Sequence, residues 1–157
     1  MKSIMNSEEP PSPQFDKPAA IERFFNRAFG FLIRIGIGLS HNYLLEVRGR
    51  KSGRTFSTPV NLLDLGGKEY LVAPRGFTQW VKNVMASGEA TLVRGLTRRE
   101  ILLRPVADEA KPEILKTYLN EYRKTVQRYF PVQAGSSVEV FQPLASRYPV
   151  FEVIEKP

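Results

Sequence analysis

Four of the seven residues from Arg48 to Arg54 are basic, and two glycines lie among them. Gly49-Arg50-Lys51-Ser52-Gly53-Arg54 is a tight connection in which backbone N–H groups and cationic side chains can converge on a phosphate or a carboxylate. Each charge-assisted hydrogen bond of that kind contributes roughly 1.5–3 kcal/mol, so three or four of them matter even after desolvation. No acidic residue occurs between Val47 and Leu63. None occurs between Tyr70 and Val84, a stretch that holds Arg75 and Lys82. In a chain with 16 acidic residues, two acid-free windows beside turn residues are places where an anion could sit. The competing reading is a solvated basic hairpin, and composition alone does not separate the two. The turn is not a Walker A loop: the glycine that should precede the lysine by several residues is missing, and the order is strand–turn–strand.

Other chemistries are excluded by what the chain lacks. Without cysteine there is no disulfide framework, thiolate nucleophile or iron–sulfur ligation, and with His41 as the one histidine a His-rich zinc site is excluded too, so no metal is expected. No GxSxG elbow supports a serine triad. The first 16 residues have no apolar core of a signal peptide, and the apolar stretch Phe29–Leu39, interrupted by Arg34, is too short to span a bilayer. A cytoplasmic protein is expected. The formal charge of +7 favours an anionic partner.

The elements that must position the basic turn follow from periodicity. Residues 1–16 are rich in Ser, Pro and Glu and are expected to be a disordered tail, with one domain over 17–157. Pro18 suits a first helical turn, and Ile21, Phe24, Phe25, Ala28, Phe29, Leu32 and Ile33 recur at helical spacing opposite Arg23, Arg27 and Arg34. This amphipathic helix over 19–39 is expected to pack on a core, with peripheral membrane contact as the alternative. Tyr43, Leu45 and Val47 alternate with Leu44, Glu46 and Arg48, which predicts a strand. A second strand is expected from Thr55 to Leu65, with Pro59 at an edge or a bulge. Gly66-Gly67 predicts a hairpin into a strand over Lys68–Ala73. Thr78 is placed to cap a short helix over Gln79–Ala86. Glu89–Arg94 and Arg98–Val106 form another hairpin, with Arg98-Arg99 expected at a tip in water. Asp108 and Pro112 open the longest helix, striped by Ile114, Leu115, Tyr118, Leu119, Tyr122 and Val126. Residues 130–149 read as irregular, and Pro149–Ile154 as a closing strand. Together these predict an α+β fold, mainly antiparallel β, with a small barrel and a few helices.

The run from Gly49 to Arg54, followed by Ser57-Thr58-Pro59-Val60-Asn61, resembles the signature of the deazaflavin-dependent nitroreductase family, split β-barrel proteins that use coenzyme F420. The similarity continues through Tyr70-Leu71-Val72-Ala73-Pro74-Arg75-Gly76 and Gln79-Trp80-Val81-Lys82-Asn83, covering roughly Leu44 to Val106. The resemblance implies that Arg50, Lys51 and Ser52 hold the phosphate and acidic tail of the cofactor. It implies that Ser57, Thr58, Pro59, Val60 and Asn61 line the deazaflavin ring. Val72, Ala73, Pro74 and Arg75 would form the opposite wall, and Gln79, Trp80, Val81, Lys82 and Asn83 would close over it. It also implies a hydride transfer from reduced deazaflavin to a small flat acceptor such as a quinone, an enone or a nitro compound, and a homodimer. The chain departs from the nitroreductase subgroup at Asn61, where that subgroup has an aromatic hydroxyl, and over Phe130–Phe141, which has no tyrosine.

Other roles remain beside this one. A barrel of this type could bind FMN or a lipid without turnover. Nucleic-acid binding would need aromatics interleaved with the basic residues, and Arg48–Arg54 has none, while Phe56 is expected to face the core. Trp80 is expected to plug a barrel end. Tyr118, Tyr122, Tyr129 and Tyr148 are candidate proton donors that nothing in the sequence ranks.

Overall fold

The computed structural model describes residues 42–157. The N-terminal tail, the helix expected over 19–39 and His41 lie outside the described residues.

Six strands form a closed antiparallel barrel: β1 (Asn42–Arg48), β2 (Thr55–Leu65), β3 (Lys68–Val72), β4 (Glu89–Arg94), β5 (Thr97–Pro105) and β6 (Val150–Glu155), in the order β1-β2-β3-β6-β5-β4. Helix α1 (Gln79–Ser87) joins β3 to β4, and α2 (Lys111–Val126) follows β5. The β2–β3 hairpin turns at Gly66-Gly67, whose φ values of 62° and 80° are those a primed two-residue turn requires. No helix of the described residues is long and apolar enough to cross a membrane.

Alternation along the strands sorts the core into two layers. Leu45, Val47, Leu62, Leu71, Leu92, Ile101, Leu103, Phe151 and Val153 point into the barrel, joined by Val81 and Val84 of α1. Leu63, Val72 and Val150 point outward, where Leu115, Tyr118, Leu119 and Tyr122 of α2 cover them together with Phe130, Phe141 and Tyr148. The segment read as irregular in sequence holds a run of 3-10 helix, Val138–Arg147. Pro143 within it has no N–H and so leaves a gap in the helical hydrogen bonding. The segment is tied to α2 by Lys111, whose buried ammonium donates to the Ala145 carbonyl (3.1 Å) and pairs with Asp108 (2.7 Å).

The register of β2 prepares the site. Thr55–Asn61 pair with β1 and Leu62–Leu65 with β3, so the strand changes partner between Asn61 and Leu62. Upstream of that point β2 has a strand on one side only. Pro59, opposite Leu44, lies in this stretch. The edge expected for it is thus local, within a strand the barrel otherwise closes.

Two expectations are corrected. The β4–β5 tip is Gly95-Leu96, not Arg98-Arg99. Arg98 and Arg99 lie on β5, where Arg98 pairs with Glu46 and Arg99 pairs with Glu69 and Glu155. Phe56 does not face a filled core: it is 52% exposed. It shares the inward parity of Val60 and Leu62 and sits opposite the buried Val47, but its ring lies against Gly49 at the end of the strand and stays half in solvent.

Candidate functional site

The basic turn is a closed loop. The Gly49 N–H donates to the Arg54 carbonyl (2.7 Å), the Gly53 N–H to the Gly49 carbonyl (3.0 Å), and the Arg54 N–H to the Ser52 hydroxyl (3.2 Å). Gly53 takes a φ of +71°, and a Cβ on Gly49 would lie 2.6 Å from the Phe56 ring. Small residues therefore let the ring close over the start of the turn.

Arg50 joins this turn to α1. Its backbone N–H and its Nη1 both donate to Asn83 Oδ1 (3.1 and 2.8 Å), and its Nη2 donates to Gln79 Oε1 (3.1 Å). Asn83 is buried and Gln79 exposed, so the guanidinium is fixed at its inner edge and keeps outward N–H groups for a ligand. Lys51, Arg54 and Lys82 are exposed and make no ion pair among the described residues.

The start of α1 adds to this face. Thr78 is the N-cap residue but makes no capping bond, and its hydroxyl is buried without a hydrogen-bond partner. No acidic residue stands in the first turn, so the leading amides face no carboxylate. An orphaned hydroxyl, uncapped amides and unpaired cations on connected elements fit an anionic group.

The other expected residues divide. On β2, Val60 packs toward the interior, and Thr58 shares its parity; Ser57, Pro59 and Asn61 point outward. The five side chains therefore cannot line one surface together. Val72, Ala73 and Val81 are core residues (4%, 1% and 0% exposed), which leaves only their backbone for a ligand. Trp80 is half-buried against the interior cluster, 6.0 Å from the Phe151 ring. Pro74 and Arg75 lie elsewhere, bordering a cavity of about 450 Å³ with Gly76, Tyr129, Arg147 and Tyr148. Among the described residues no hydrogen bond links Arg75 to the basic turn. Arg147 was missed in sequence because it ends a segment without periodicity.

Tyrosines connect β2 to that cavity. The Tyr122 hydroxyl donates to the Leu62 carbonyl (2.6 Å), beside the partner change of β2. Burial pushes the Tyr118 phenol up to about 12, with the nearby Tyr129 adding to the rise and a hydrogen bond with Asn61 opposing it. Burial also raises Tyr122 and Tyr148 above the ordinary phenol value. These phenols hold their protons at neutral pH. The Tyr148 hydroxyl donates to the Tyr129 carbonyl (2.6 Å), while the Tyr129 hydroxyl makes no hydrogen bond to a described residue.

A sequence model of the F420H2-dependent quinone reductase family matches residues 24–140, well over half of the chain. The chain belongs to this family. It is an oxidoreductase whose cofactor is coenzyme F420. No curated protein matches the chain. Among solved structures, a protein of unknown function from Agrobacterium tumefaciens is similar, with a TM-score of 0.53 and 15% identity over 83% of this chain and 55% of that one. The present chain thus spans about half the length of that protein. A domain-swapped dimer is similar with a TM-score of 0.52 and 16% identity, over 87% of this chain and 98% of the other. An FAD-binding protein from Mesorhizobium loti is similar with a TM-score of 0.50 and 8% identity, over 83% and 89% of the two chains. At these identities the likeness is one of fold: a split β-barrel, as the sequence led one to expect.

Proposed function

We propose that this F420-dependent reductase acts on a small flat acceptor of the quinone type, and that the Gly49–Arg54 turn with the start of α1 holds the anionic part of its cofactor. One observation carries the reading: Lys51, Arg54 and Lys82 have no acidic partner among the described residues, on elements that Arg50 locks together. Arg50, Lys51, Ser52 and Lys82 would contact phosphate and carboxylates. Ser57, Pro59 and Asn61 would present the outer face of β2, with Thr58 and Val60 contributing backbone. When bound, the reduced coenzyme supplies a hydride, and a quinone needs a further proton to leave as the hydroquinone. The hydroxyl of Tyr129, which lines the cavity, is one source of that proton, and water is the other.

The test is a fluorescence titration of the protein with coenzyme F420, beside FMN, followed by reduction of menadione with the reduced coenzyme. Micromolar or tighter binding of coenzyme F420, weaker binding of FMN and quinone turnover are expected. An unchanged fluorescence on titration would overturn the reading.

A further inference from the structure

The cavity at the β3–α1 loop has a chemistry that a neutral quinone does not exploit. Its six lining residues include Arg75 and Arg147 and no acid. A third arginine stands behind the wall: Arg128 lies 4.8 Å from the Tyr129 ring centre, and Arg147 lies 5.9 Å from that of Tyr148. None of the three is ion-paired among the described residues. The polar side-chain groups free to meet a ligand are therefore hydrogen-bond donors: two guanidinium groups and the Tyr129 hydroxyl. The Tyr148 hydroxyl is already used on the Tyr129 carbonyl.

The frame around these donors is fixed. The Ala73 N–H donates to the Pro149 carbonyl (2.9 Å), the Gly76 N–H to the Ala73 carbonyl (3.1 Å) and the Thr78 N–H to the Gly76 carbonyl (2.9 Å). Gly76 takes a φ of +80°, which favours glycine, and a Cβ there would be in ordinary contact with the Arg147 carbonyl oxygen at 3.5 Å. On the opposite wall the Phe130 ring stacks on Tyr148 at 4.5 Å. The cavity is a depression largely open to solvent, wide enough to receive a bicyclic ring, and a planar guanidinium at its rim matches a carboxylate in two-point fashion.

We infer that this cavity takes the electron acceptor, and that Arg147 makes the enzyme select flat acceptors bearing a carboxylate. The inference rests on the reading of the chain as a quinone-type reductase. Asn61 is hydrogen-bonded to Tyr118, whose ring lies 6.4 Å from that of Phe130, and Phe130 stacks on Tyr148 of the cavity, which links the cavity to the strand proposed to meet the cofactor ring. An acceptor anchored there by its carboxylate would have its ring held between the Tyr129 and Tyr148 side. Arg147 acts as a specificity residue and takes no part in the hydride transfer itself.

The experiment compares menadione with a naphthoquinone carboxylate of the same ring size. Calorimetric titration into cofactor-free protein should show the carboxylate binding roughly tenfold tighter, the size of one charge-assisted hydrogen bond. Added salt should shrink that preference. Arg147→Ala should abolish it, and Arg147→Lys should restore part of it. In the loaded enzyme the same ratio should appear in KM, with kcat for the two quinones in unchanged proportion. Equal binding of the two quinones to the native protein overturns the inference. So does an Arg147→Ala variant that loses affinity for coenzyme F420 while keeping the acceptor ratio, because the cavity would then hold the cofactor's own acidic tail. Failure of coenzyme F420 to bind at all strikes the proposed function instead, and the calorimetry on the two quinones still reads the cavity.

Discussion

Two arginine-bearing regions of this barrel have opposite surroundings. On β5, Arg98 meets Glu46 at 2.7 Å, and Arg99 meets Glu69 at 2.6 Å and also pairs with Glu155. Hydrogen bonds to those carboxylates raise both guanidinium pKa values. Around the Gly49–Arg54 turn the cations meet amide oxygens or nothing: Arg50 takes Asn83 and Gln79, and Lys51 and Arg54 have no described acidic partner. The first set closes a seam across β1, β3, β5 and β6. The second has no acidic partner among the described residues, as the proposed contact with an anionic cofactor requires. Number of arginines does not distinguish the regions; the placement of glutamates does.

The comparison breaks first at the turn. Replacing Lys51 and Arg54 together by alanine should weaken coenzyme F420 binding by about 3 kcal/mol, a hundredfold or more in Kd, with an unchanged melting temperature. A fall in melting temperature without loss of affinity would place these cations with the structural set. The next effect concerns the phenols between turn and cavity. Tyr118 holds its proton up to about pH 12 in the folded chain, against 10.0 ordinarily. Below pH 10 both states keep the proton. Between 10 and 12 the unfolded chain releases it first, so stability falls as pH rises, by about 2–3 kcal/mol. Denaturant melts from about pH 8 to pH 12 should show that slope, and Tyr118→Phe should reduce it, the remainder coming from Tyr122 and Tyr148.

Much of the frame was legible because it rests on local rules. Alternation gave β1, paired glycines gave the β2–β3 turn, and Pro112 gave the start of α2. The basic turn was visible because charge clustering is a property of the sequence alone. What remained hidden depends on long-range register. That Arg50 spends hydrogen bonds on Gln79 and Asn83 requires α1 to lie beside the turn, which no spacing reveals. The ion pairs of Arg99 link β5 to β3 and β6, neighbours fixed only when the barrel closes. Phe56 obeys its strand parity yet is exposed, because parity says which way a side chain points and not where the interior ends. Arg147 sits at the end of a 3-10 run with Pro143 inside, a pattern without a period to read.

The smaller effects sharpen the contrast. Arg50 belongs to both sets, so Arg50→Ala should lower affinity for coenzyme F420 and also destabilise the fold by about 1 kcal/mol, since the buried Asn83 Oδ1 loses its Nη1 donor and keeps only the backbone N–H of residue 50. Arg99 should report on stability alone. Its side chain is 22% exposed, and its removal leaves Glu69 and Glu155 without their shared cation. Solvent screening limits the loss to about 1 kcal/mol, a drop of a few degrees in melting temperature, with coenzyme F420 affinity unmoved. Arg98→Ala, which removes a side chain 57% exposed, should cost less stability than the loss of Arg99 and leave coenzyme F420 affinity unmoved. A change in cofactor affinity on replacing Arg99 would erase the distinction, because it would mean that a cation already neutralised by two carboxylates still reaches the ligand.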